Sequence, residues 1–137
     1  MKAENLRTLA HELRADPTSY DQTLFYSKTR CGTVCCIAGH AAILSGAQLS
    51  SDLDWEAAGI AQEWLEIDTR LASRLFAALP HLEFKGCVQK CCPSEPAPWG
   101  KKWGRRYGAA LKGESAESPA LVAADLLEAL AEGKVAL

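Results

Sequence analysis

An all-α single domain spanning residues 1–137 is the fold this sequence predicts, on three observations. Leu and Ala supply most of a 48% hydrophobic content, and both favour helix over sheet. Apolar residues recur at helical spacing in several separate stretches. Proline, glycine or a capping side chain stands where most of these stretches start or stop. The pattern gives about five helices and one long irregular excursion, roughly 81–117. A chain of 137 residues suits one domain and can bury a real core.

Leu6, Leu9, Ala10 and Leu13 follow i, i+3, i+4, i+7, so residues 3–15 read as a helix ended by Asp16-Pro17. Residues 18–30 carry Tyr20, Phe25 and Tyr26 without a period and read as an extended or irregular connection. Thr33 is placed to cap a helix from Val34 to Ser45, with Gly46 past its end. Ser51, Asp52, Asp54 and Glu56 put a cap and carboxylates in the first turn of a helix running to about Glu66. Asp68 caps the next, with Leu71, Ala72, Leu75, Phe76 and Leu79 on one face and Pro80 as its stop. Ser118-Pro119 opens a last helix lined by Leu121, Val122, Leu126, Leu127 and Leu130 and closed by Gly133.

Net charge is only −2, too small to draw the whole chain toward nucleic acid or acidic lipid. The charge is unevenly spread. Residues 85–112 hold Lys85, Lys90, Lys101, Lys102, Arg105, Arg106 and Lys112 against Glu95 alone, a net +6 that leaves −8 for the rest. Such asymmetry marks a polar interaction surface. Met1-Lys2-Ala3-Glu4-Asn5 opens into the helical pattern with no leader-like apolar run, and no later stretch is long and apolar enough for a bilayer. The expectation is a cytoplasmic protein with no membrane partner, its thiols reduced or metal-bound rather than paired.

All six cysteines fall in two copies of one pattern, Cys31-x-x-x-Cys35-Cys36 and Cys87-x-x-x-Cys91-Cys92. Three readings of the first cluster stand side by side. Cys35, Ala38, Gly39 and Ala42 form a nearly bare helix face, on which cysteine acts as a small hydrophobe against a neighbouring helix. Cys36 and His40, at i and i+4, could share a structural zinc with Cys31 and with Cys87, Cys91 or Cys92. Cys35 and Cys36 in a first helical turn, with His40 one turn on, could be a reactive thiol site. No Ser-His-Asp order, phosphate loop or HExxH is present, so an enzyme is not the favoured reading.

The run from Cys31 to Ala42 resembles the Cys-Gly-Thr-x-x-Cys-Ile-Ala-Gly-His/Trp-Ala signature of small uncharacterised proteins from bacteria and their phages. The matching positions are Cys31, Gly32, Thr33, Cys36, Ile37, Ala38, Gly39, His40 and Ala41. The resemblance implies a helical architecture and a bacterial or phage origin, and no chemistry. Cys35 and the second cluster depart from the pattern.

Trp99-Gly100-Lys101-Lys102, Trp103-Gly104-Arg105-Arg106 and Tyr107-Gly108 make a short internal repeat. Rings interleaved with cations suit single-stranded nucleic acid. Trp, Tyr and Arg are also the residue types that most often anchor protein contacts. Alternatively the rings fold onto the core and the cations stay in water. Three glycines weigh against a rigid helix here, each costing about 1 kcal/mol relative to alanine. The favoured functional expectation is a non-enzymatic protein that binds a macromolecular partner through Trp99, Lys101, Lys102, Trp103, Arg105, Arg106 and Tyr107. The partner is expected to be a protein, as for a phage-encoded inhibitor of a host system, with nucleic acid as the alternative.

Overall fold

The computed structural model describes residues 1–22, 27–29, 32–49, 54–76 and 100–135. Among them are six α-helices: α1 (Ala3–Ala15), α2 (Ile37–Leu44), α3 (Asp54–Leu65), α4 (Thr69–Phe76), α5 (Gly100–Leu111) and α6 (Pro119–Ala131). A single antiparallel hairpin, β1 (Ser27–Thr29) with β2 (Gly32–Val34), is added to this all-α frame. Phe25, Tyr26, Ser51, Asp52, Leu79 and Pro80, to which the sequence assigns packing, capping or stopping roles, lie outside the described residues.

The first and last helices build the core together. Leu6, Leu9, Ala10 and Leu13 of α1 are fully buried, and α1 lies along α6 in the most extensive helix pair of the fold. Val122, Leu126, Leu127 and Leu130 answer from α6, whereas Leu121, expected on the same face, is 41% exposed. Each leucine sealed in this way contributes about 2 kcal/mol through removal of apolar surface from water. The start of α1 also closes the end of α3. Lys2 N donates to the Leu65 carbonyl at 2.8 Å, and the buried Asn5 Nδ2 donates to the Trp64 carbonyl at 2.7 Å. Two carbonyls that a helix C-terminus leaves unpaired are thereby satisfied.

Helix α2 is buried almost all round, Ile37 through Ala42 without exception, and packs chiefly on α3. Its small side chains permit that approach. Gly46, at φ 92°, ends it with the paired bonds Gly46 N to Ile43 O and Ala47 N to Ala42 O. The same two-bond closure ends α3, but there the left-handed position belongs to Glu66 at φ 51°. Asp68 caps α4 as the sequence indicates, its Oδ1 accepting from Leu71 N at 2.7 Å.

Two boundaries differ from the sequence reading. The second helix begins at Ile37 rather than Val34, because Gly32–Val34 pairs with Ser27–Thr29 and Cys35 bridges to Tyr20. Cys36, not Thr33, takes the cap position, and it does so without a side-chain hydrogen bond. Secondly, residues 100–111, read as part of an irregular excursion, are helical. Tertiary packing accounts for the difference: Ala110 is buried, Trp103 packs on the core, and α5 lies against α6. These contacts offset the local cost of the glycines.

Candidate functional site

Two places gather the conspicuous residues. The first is the segment before α2. Cys35 continues the line of β2 and exchanges backbone bonds with the turn after α1: Cys35 N donates to Ser19 O at 2.9 Å, and Asp21 N donates to Cys35 O at 3.1 Å. Both Cys35 and Cys36 are buried. Burial, reinforced by the neighbouring Cys36 thiol, pushes the Cys35 thiol up to about 12. Two residues short of the helix and sealed from water, Cys35 stays a thiol at neutral pH. The helix-start thiolate expected there does not form, since the helix dipole would have to outweigh desolvation.

His40 is equally committed. Its Nε2 lies 3.1 Å from the Ser19 carbonyl and 3.4 Å from the Ser19 hydroxyl. A carbonyl only accepts, so Nε2 carries the proton and cannot act as a base toward Ser19. The Ser19 hydroxyl meanwhile donates to the Asp16 carbonyl at 2.7 Å. Burial lowers the His40 pKa below its ordinary value, with Ser19, Glu12 and Asp16 pulling the other way. The imidazole is a neutral fastener between α2 and the turn at Pro17–Ser19.

Beside it sits a residue to which the sequence drew no attention. Gln22 is buried, and its amide is fully used. Nε2 donates to the Leu75 and Phe76 carbonyls at 3.2 Å each, and Oε1 accepts from the Tyr20 hydroxyl at 2.8 Å and Ile37 N at 3.4 Å. One side chain therefore bonds both the last described turn of α4 and the start of α2. No periodicity or motif marks such a glutamine.

Of the proposed metal ligands, Cys36 and His40 fall in the described residues; Cys31, Cys87, Cys91 and Cys92 lie outside them. No group of three or more potential ligands occurs among the described residues. With Nε2 bonded to Ser19, only Nδ1 of His40 retains a lone pair for a cation.

The second place is α5. Trp103 is partly buried against the core, and the Arg106 guanidinium lies over its ring at 5.3 Å from the centroid. Arg106 also forks onto Glu117, with Nε 3.0 and 3.1 Å from the two carboxylate oxygens and Nη2 2.6 Å from Oε1, and reaches Asp125 Oδ2 at 2.7 Å. Asp125 accepts in turn from Arg14 of α1 at 2.8 Å, and Arg14 pairs with Glu128 as well. Burial works against the Asp125 carboxylate, yet bonds from Arg14 and Arg106 hold its pKa below the usual range. Arg106 likewise lowers Glu117. The ladder Glu128–Arg14–Asp125–Arg106–Glu117 thus ties α1, α6 and α5 together along the surface.

Arg105 and Lys112 are exposed. Neither has an acidic partner among the described residues. At 100° per residue, positions 101, 105 and 112 fall within about 40° of one another, opposite positions 103 and 110. Trp99 lies outside the described residues, and the side chains of Lys101, Lys102 and Tyr107 are not among those described. Of the seven residues expected at the interface, then, Trp103 and Arg106 are turned on the chain itself, and Arg105 faces outward. No helix among the described residues is long and apolar enough to cross a membrane.

Comparison with protein-family models, curated proteins and solved structures finds no match to this chain.

Proposed function

We propose that this chain is a non-enzymatic interaction protein of bacterial or phage origin that binds an acidic protein surface through the outward side of α5. One observation supports it above all: Arg105 and Lys112, two helical turns or about 10 Å apart along the axis, are exposed cations with no acidic partner among the described residues. The same helix is held against the body of the molecule by Trp103, Ala110 and the Arg106 ladder. A fixed basic helix face steers and orients an acidic partner. Chemistry finds less support, because Cys35 is a buried thiol and His40 Nε2 is a hydrogen-bond donor. Base stacking is disfavoured by the packing of Trp103 against the core under Arg106. A phage-borne inhibitor of a host system is one form of this reading. A structural zinc drawn from Cys31, Cys36, His40, Cys87, Cys91 and Cys92 remains part of the proposal, tested by elemental analysis with a thiol count.

Fluorescence anisotropy tests the main reading, with labelled poly-glutamate and a labelled single-stranded oligonucleotide as probes at low ionic strength. The expected result is binding of poly-glutamate that weakens with added salt and falls at least tenfold in the double variant Arg105→Glu, Lys112→Glu. Tighter binding of the oligonucleotide transfers the reading to nucleic acid. Indifference to charge reversal overturns it.

A further inference from the structure

We infer that Glu117 is an internal competitor of the partner, occupying Arg106 while the basic side of α5 is empty. This rests on the reading above and adds a regulating contact to it. Arg106 follows Arg105 by one residue, about 100° round the helix, so it sits at the border between the outward side and the packed side. Its fork is filled by a carboxylate from the 112–118 connection, in the same two-bond geometry that a partner's Asp or Glu would use. That pair is accessible on both sides, with 34% of the Arg106 side chain and 44% of the Glu117 side chain exposed. Exposed pairs of this kind are held weakly, so an incoming carboxylate can exchange with Glu117 and leave the rest of the ladder standing. Asp125 and the Trp103 ring keep Arg106 in place during that exchange. Two cations without an acidic partner among the described residues, Arg105 and Lys112, thereby become three in the bound state.

A double-mutant cycle read by poly-glutamate anisotropy decides the matter. Glu117→Gln should tighten binding about threefold, the scale of one exposed ion pair. Glu114→Gln removes an equal charge from the same connection, from a residue with no ion pair among those described, and should gain less. Adding Arg106→Gln to Glu117→Gln should erase the gain. Equal gains from Glu114→Gln and Glu117→Gln would show that only mean charge matters and would sink the inference. So would weaker binding by Glu117→Gln, since the pair would then organise the site rather than block it. If the unaltered chain and Glu117→Gln both ignore poly-glutamate, the underlying reading falls too. Binding by the unaltered chain without a specific gain removes only the competitor. Circular dichroism confirms that each variant remains helical.

Discussion

The turn before α2 and the outer side of α5 each carry a conspicuous string of residues, yet their polar groups are used in opposite ways. The side chains of Gln22 and His40 are buried and bonded to backbone carbonyls remote in sequence. On α5 and just past its end, Arg106 is half-exposed and paired, whereas Arg105 and Lys112 are exposed with no acidic partner among the described residues. Buried, fully bonded polar groups specify a fold, because each orphaned donor or acceptor there carries a desolvation penalty. Exposed charges contribute little to stability and remain available to a second molecule. Under the proposed function, Cys35, Cys36 and His40 are architecture and the basic helix is the contact surface.

That division can be broken most forcefully at Gln22. Gln22→Ala removes the bonds that this side chain makes to the Leu75 and Phe76 carbonyls, the Tyr20 hydroxyl and the Ile37 amide. It should cost about 3 kcal/mol in denaturant unfolding; a loss under about 1 kcal/mol would mean that water replaces the amide without penalty.

Acid should act next. His40 has its folded pKa lowered from an ordinary 6.5, so below that value the unfolded chain binds the proton more readily. Stability is then fully present above about pH 6.5 and declines as pH falls toward the folded value, no faster than about 1.4 kcal/mol per pH unit. The lowered carboxylates Glu117, Asp125 and Glu128 act only below their ordinary values of 3.8 to 4.5. Denaturant midpoints across pH 5–7 should therefore slope in the native chain and flatten in His40→Gln.

A smaller gain is expected at Glu66, which holds the left-handed position that glycine fills after α2, α5 and α6. Glu66→Gly should raise stability by up to about 1 kcal/mol, seen as a shift in melting temperature. Least of all, reversing Arg105 and Lys112 should move stability by under about 0.5 kcal/mol, although it should weaken poly-glutamate binding at least tenfold. A large loss of stability there would make α5 a structural element rather than a docking face.

Sequence pattern reveals the helices whose reasons are local. In α1 and α6 a 3.6-residue apolar period runs between clear stop signals, and of the apolar residues it assigns to the core only Leu121 is exposed. It fails where distant partners decide. Thr33 looks like a helix cap until Ser27–Thr29 supplies a strand for it to pair with. The glycines of α5 argue against helix until Trp103 and Ala110 meet the core. Arg106 reads as an available cation because Glu117 and Asp125 are eleven and nineteen residues away. Asn5 and Gln22 show nothing in sequence, since the carbonyls they satisfy belong to helices 53 or more residues further on.

The span of that glutamine has a kinetic consequence. A bond joining residue 22 to a carbonyl 53 positions downstream closes a long stretch of chain, and that entropy must be met before the contact yields anything. The bond is therefore expected to form after the folding barrier is crossed. Its loss should accelerate unfolding while leaving the refolding rate nearly unchanged, so this side chain governs how long the native state lasts rather than how quickly it is reached.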